Sequence, residues 1–184
     1  MPDTGAPWNI PFLDGTELVR AYPDFSEDLA DAVAAGLTAA GNAGIGSNVV
    51  SAEQDTSVTT TSSTFTSTNL SAIITPSSDA SKVLVIVSLH ASLFADSGRG
   101  VISEFRILRG ASVVQMGSIY HFAAGGGADG RTSHQMILLA LDEPASDSTL
   151  TYSVDFRTAT TGNGRTVEVH RDAPSRILLA EVAA

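Results

Sequence analysis

The sequence contains no cysteine, which excludes disulfide staples and thiolate metal sites and leaves the redox compartment undetermined. Bases are scarce: ten Lys and Arg stand against twenty Asp and Glu, a net charge of −10. That balance argues against binding nucleic acid through its phosphates. Aromatic residues make up 6% of the chain, which is thin for a sugar-stacking groove. No apolar run approaches the length of a membrane span, and the N-terminus lacks the basic start and apolar core of a signal peptide. The composition is that of a soluble, acidic protein with no membrane insertion.

What is present divides into three parts and a linker. Residues 1–22 read as an extended arm, because Pro7 and Pro11 fix φ and lack a donor. The single tryptophan, Trp8, lies in this arm with Ile10, Pro11, Phe12 and Leu13. Such a segment either folds back on its own domain or docks in the groove of another protein, and the second reading is favoured. Residues 23–41 read as the one helix. Ser26 is its N-cap, Glu27 and Asp28 favour the positive end of the dipole, and Leu29, Val33 and Leu37 recur at helical spacing. Its narrow, alanine-rich stripe suits packing on the following domain or a short bundle around an axis. The small-residue seam favours the bundle. Residues 42–55, rich in Gly, Asn and Ser, read as a linker.

From residue 56 onward the pattern is β. Residues 56–68 are serine and threonine at all but Val58 and Phe65, and are expected as extended edge strands. In SKVLVIVSLHASLF, Val83, Val85, Val87, Leu89, Ala91 and Leu93 share one face. The other face carries Leu84 and Ile86, then turns polar at Ser88, His90 and Ser92. A strand apolar on one face and half the other is covered twice over part of its length. LTYSVDF alternates cleanly, with Leu150, Tyr152, Val154 and Phe156 inward. The closing SRILLAEVAA is apolar on both faces, which suits a central strand whose back meets symmetry-related copies. Eight or nine short strands with Gly-rich turns predict an antiparallel β-sandwich or jelly roll over residues 56–184. The fold class is mainly β, with the arm and one short helix ahead of it. The helix (Leu29, Val33, Leu37) and the back faces of two strands (Leu84, Ile86, Leu178, Val182) are expected to form a homotrimer interface.

The run TSSTFTSTNLSAIITPSSDASKVLVIVSL, then FRILRGASVV, LTYSVDFRT and the ending ILLAEVAA resemble the C-terminal β-domains of bacteriophage fibre proteins. PWNIPFLDGTELVRAYPDFSEDLADAVAAGL is similar to the N-termini of minor tail proteins. The resemblance implies a trimeric virion appendage whose arm, residues 1–22, binds the tail, baseplate or capsid, with a distal head exposed on the particle. It also implies a stubby fibre or knob, since no repeat-bearing shaft separates the helix from the β-domain. A host cell-surface glycan or protein is the implied further partner, met by loops around residues 95–100, 123–131 and 158–165. A capsid-decoration role, or a polysaccharide-degrading spike, are the alternatives.

Chemistry is poorly represented. His90, His121, His134 and His170 are dispersed, with no helical metal pair. GGGADG lacks the GK[ST] of a phosphate loop. Asp142, Glu143 and Asp147 match no calcium loop. Glycoside hydrolysis needs paired carboxylates in a groove, and Glu104 and Glu168 are the strand acids that stand out. Both are expected to face solvent. No catalytic residue, metal or cofactor is expected.

Overall fold

The computed structural model describes residues 45–123, 130–160 and 164–183, and the structural statements below concern these. The arm of residues 1–22 and the helix of residues 23–41 lie outside them. The described residues form ten strands and no helix: β1 (Ile45–Gln54), β2 (Val58–Thr60), β3 (Thr66–Ile74), β4 (Lys82–Ala95), β5 (Gly100–Arg109), β6 (Ser112–Phe122), β7 (Gly130–Asp142), β8 (Leu150–Thr158), β9 (Arg165–Val169) and β10 (Ser175–Val182). All pairings are antiparallel.

Two pairs of these strands are halves of longer ones. β1 pairs with β10 and β2 with β9, and both partners break at the same level. With each interrupted pair counted once, the first strand pairs with the last (β1–β10), then β3 with β8, β4 with β7, and β5 with β6. The pairing is nested, as in one long hairpin rolled into two sheets. This is the jelly-roll topology. One sheet runs β1–β10–β4–β7, with β9 and β2 continuing it beside the far half of β4; the other runs β3–β8–β5–β6.

The two inner faces form the core by strict alternation. Val83, Val85, Val87, Leu89 and Leu93 of β4 are fully buried, facing Phe105 and Ile107 of β5 and Tyr152, Val154 and Phe156 of β8. The Phe105 and Phe156 rings stack with centroids 6.3 Å apart. Each such side chain contributes about 1.5–3 kcal/mol of burial.

Two expectations need correction. The segment read as a linker, residues 42–55, contains β1, so the β-domain begins at Ile45 rather than residue 56. Its Gly- and Asn-rich start hides a strand specified by its partner, through pairs such as Val50↔Leu179 and Ala52↔Ile177. The Ser/Thr-rich segment is strand only at its two ends, β2 and the start of β3. Between them, the chain crosses from one sheet to the other. There Phe65 is covered by the guanidinium groups of Arg106 and Arg157, at 4.0 and 4.5 Å from the ring centroid.

Candidate functional site

The outer face of the β1–β10–β4–β7 sheet is the surface that β-patterning alone does not explain. Residues directly opposite in an antiparallel pair lie on the same face, so the register defines rows across four strands. One row is Val49, Ala180, Leu84 and Leu141; the next is Ser51, Leu178, Ile86 and Leu139. Leu139 and Leu141 are 58% and 54% exposed, and Ile137, one row further on, 66%. Leu84, Ile86, Leu178 and Val182 are half-buried by one another. Contiguous apolar surface of this kind marks an interaction site. At its margins lie the ion pairs Lys82–Glu143 and Arg176–Glu53, both at 2.6 Å.

Beyond Ser88 the same face is polar and closed on itself. The Arg131 guanidinium donates to Glu168 (2.8 Å) and to the Ser92 hydroxyl (3.2 Å). Ser133 donates to Asp172, and the Gln135 amide to the Ser88 hydroxyl at 3.0 Å. These groups satisfy one another.

Beneath the apolar rows, on the inner side of β10, Glu181 is 1% exposed. Burial by itself would raise its pKa. The Ser77 hydroxyl and backbone N–H, with Ser81 and the Asn48 amide, donate to the carboxylate and outweigh burial, holding it down at about 2. Glu181 thereby fixes the turn between β3 and β4 against β10. At the same end of the sandwich Tyr152 donates to Asp142 (2.6 Å), which also accepts from Arg109 (2.6 Å). Burial first, and then that carboxylate, push the Tyr152 phenol up. Where β9 gives way to β10, His170 is buried with φ at +61°. Its Nε2–H donates to the Thr68 carbonyl (2.8 Å), leaving Nδ1 buried without a partner. Burial lowers its pKa.

The nested pairing sorts the chain's connections between the two ends of the sandwich. Ile45 and Val182 pair at one end. The segments after β4, after β6 and before β9 meet at the other. They are tied by main-chain bonds: Asp96 N–H to Gly164 O (2.9 Å), Gly98 N–H to Ala123 O (3.0 Å) and Ala123 N–H to Arg99 O (2.9 Å). Gly164 has φ of +74°, and a Cβ there would overlap the Asp96 carboxylate, so both conformation and space demand glycine. Beside this end, Tyr120 and Phe122 of β6 are 61% and 53% exposed.

Of the residues expected at an interface, Leu84, Ile86, Leu178 and Val182 share the outer face of one sheet. Leu29, Val33 and Leu37 lie outside the described residues, as do Trp8, Ile10, Pro11, Phe12 and Leu13. The three expected loop regions have their described parts together at the end opposite Ile45. Glu104 and Glu168 stand on different sheets and are each engaged by arginine, Glu104 by Arg157 (2.6 Å) and Glu168 by Arg131 (2.8 Å). They do not form a carboxylate pair. Sequence reading missed Ile137, Leu139, Leu141 and Val49 as surface. The signal was present in HQMILLALD, which is apolar at both parities, as in β4.

No protein-family model matches the sequence, and no curated protein sequence matches it. Among solved structures, it is similar to the structure of the infectious bursal disease virus Gx strain, with 11% identity over 76% of this chain and 36% of that one, at a TM-score of 0.30. It is likewise similar to the VP2 subviral particle of the same virus, with 10% identity over 74% of this chain and 37% of that one, at a TM-score of 0.31. The chain thus spans little more than a third of the length of these structures. Scores near 0.30 establish no common fold, and the topology above rests on its own strand pairings.

Proposed function

We propose that this chain is a bacteriophage virion structural protein that forms a homotrimeric short tail fibre or knob. Residues 1–22 dock it on the particle, and the end of the β-domain far from Ile45 is exposed, where it meets the host surface. The observation that carries the reading is the apolar outer face of β10, β4 and β7. Its exposed leucines and isoleucine have no cover among the described residues, and a second copy would remove them from water. Three copies is the number that the likeness to fibre heads implies. The loops at the end opposite Ile45 are then free to face outward. The reading contains no catalytic step and no cofactor.

The test is the mass of the purified chain by light scattering, in wild type and in Leu139→Asp. Leu139 is exposed, so a charge there leaves the protomer folded but puts an uncompensated carboxylate in the interface. A wild-type trimer that becomes a folded monomer supports the reading; a stable wild-type monomer sinks it. A particle reconstruction tests the arm, by showing whether Trp8 and Phe12 contact another virion protein.

A further inference from the structure

Among the described residues only two aromatic side chains are exposed, Tyr120 and Phe122, and they lie two apart on one face of β6. The other phenylalanine and tyrosine rings of the described residues are committed: Phe105, Tyr152 and Phe156 are buried, Phe65 lies beneath two guanidinium groups, and Phe94 is half-buried with the Arg131 guanidinium 5.8 Å from its centroid. The pair sits at the end of the sandwich opposite the Ile45–Val182 pair. The Tyr120 ring lies next to the start of β5. It lies across the backbone of Gly100, where a Cβ would come within 2.8 Å of its Oη and 2.9 Å of its Cε2. Glycine at that position leaves the ring this room, and the side chain is still 61% exposed.

Charge beside the pair comes not from β6 but from the starts of β5 and β9, where Arg99 precedes Gly100 and Arg165 donates to the Gly100 carbonyl at 2.7 Å. β6 carries no Asp, Glu, Lys or Arg along its eleven residues. In the next row, Ser118 stands opposite Glu104, whose carboxylate is neutralised by Arg157 at 2.6 Å. Two exposed rings beside a hydroxyl and a neutralised ion pair suit one ligand chemistry: a sugar ring with an apolar C–H face and hydroxyls at its rim. The chain's net charge of −10 disfavours acidic glycans. We infer that Tyr120 and Phe122 form a stacking platform for neutral pyranose units of a surface glycan. This rests on the reading of the far end as host-facing, and it gives that end a substrate class. The low aromatic content of the chain does not oppose it, because the two exposed rings are placed together. Gly100 is a positioning residue for the site, and Tyr120 its main contact.

The experiment is saturation-transfer NMR on the full-length protein, with neutral oligosaccharides of glucose, galactose, mannose and N-acetylglucosamine as probes, and a sialylated oligosaccharide as the acidic comparison. The expected result is binding of at least one neutral probe at a Kd of about 1 mM or tighter. Tyr120→Ala is expected to weaken it about tenfold or more, and Gly100→Ala measurably, while Leu139→Asp retains it because the platform lies within one protomer. No binding by any neutral probe, or binding that survives Tyr120→Ala with Phe122→Ala, overturns the inference. So does a Tyr120→Ala variant whose mass by light scattering falls to that of a monomer, since the rings then belong to a subunit contact. Binding by Leu139→Asp monomers would uphold the platform independently of assembly, so the two readings fail separately.

Discussion

Along the fourteen residues of β4 the outward side chains change from Leu84 and Ile86 to Ser88, His90 and Ser92, and the flanking strands change with them. In the half near Lys82, the neighbours are Leu178, Leu139 and Leu141; in the half near Ala95, they are Ser133, Arg131 and Glu168. The inner-face residues of β4 are apolar throughout, so the core does not require the difference. Water does. The polar half pairs its own groups, arginine to carboxylate and amide to hydroxyl, and is complete as a surface. The apolar half presents leucines that only another apolar surface can shield, at roughly 25 cal/mol per Å² removed from water. One continuous sheet therefore carries a polar surface complete in itself and an exposed apolar one, divided near Ser88.

The largest expected effect comes from a charge in the apolar half. Leu139→Asp should reduce the mass in light scattering to that of one chain, with the circular dichroism of the β-domain unchanged. Retention of the trimer would show that the interface lies elsewhere.

Next in size is Glu181, which lies directly under that half. Hydrogen bonds from Ser77, Ser81 and Asn48 outweigh burial and depress its pKa from the ordinary 4.5 to about 2. The carboxylate thus contributes stability that is fully present above pH 4.5 and is lost as the pH falls toward 2. The contribution is about 3 kcal/mol by linkage. Glu181→Gln should cost a similar amount at neutral pH in urea unfolding of the Leu139→Asp chain, which separates folding from assembly. It should also flatten the acid limb below pH 4.5. An unchanged limb would show that Ser77, Ser81 and Asn48 do not hold the charge.

His170 stands where both interrupted strands break, and its effect is smaller. Its pKa is lowered from 6.5 by burial, against the opposing influence of the Thr68 carbonyl and Asp55. The unfolded chain takes up a proton near pH 6.5 that the folded chain refuses. Stability should therefore begin to fall as the pH drops below 6.5, with a slope of at most about 1.4 kcal/mol per pH unit. Replacement by glutamine should remove that slope while leaving the one from Glu181. A slope that persists in His170→Gln would assign the acid sensitivity to another group.

The smallest effect belongs to the polar half. Arg131→Ala breaks a partly exposed pair with Glu168 and should cost less than about 1 kcal/mol, with no change of mass. If instead it dissociates the trimer, the boundary at Ser88 has no meaning for assembly.

How far the sequence discloses this surface depends on the strand. β8 is legible because Tyr152, Val154 and Phe156 alternate with polar residues, and β4 because its second face changes character midway. β10 reads as a central strand from its apolar chain end, and it lies between β1 and β4. β1 is hidden: its apolar residues are few, and strand formation comes from β10, more than a hundred residues away. Leu139 and Leu141 are individually unremarkable in an apolar run. Only the register that aligns them with Ile86 and Leu84 makes them part of a surface. The site beside Gly100 is less legible still, since the ring and the glycine that seats it are separated by a turn and brought together by the β5–β6 pairing.

The nested pairing also sets an order in time. β10, synthesised last, supplies the strand between β1 and β4, so both neighbours keep unpaired edges until residues 175–182 leave the ribosome. The row of side chains offered to other copies is divided by a gap until then. Pairing across such a distance along the chain is slow, and partners meeting before the gap closes would find exposed strand edges rather than a finished face. Loss of the last eight residues of the sheet would therefore remove its centre rather than trim its rim.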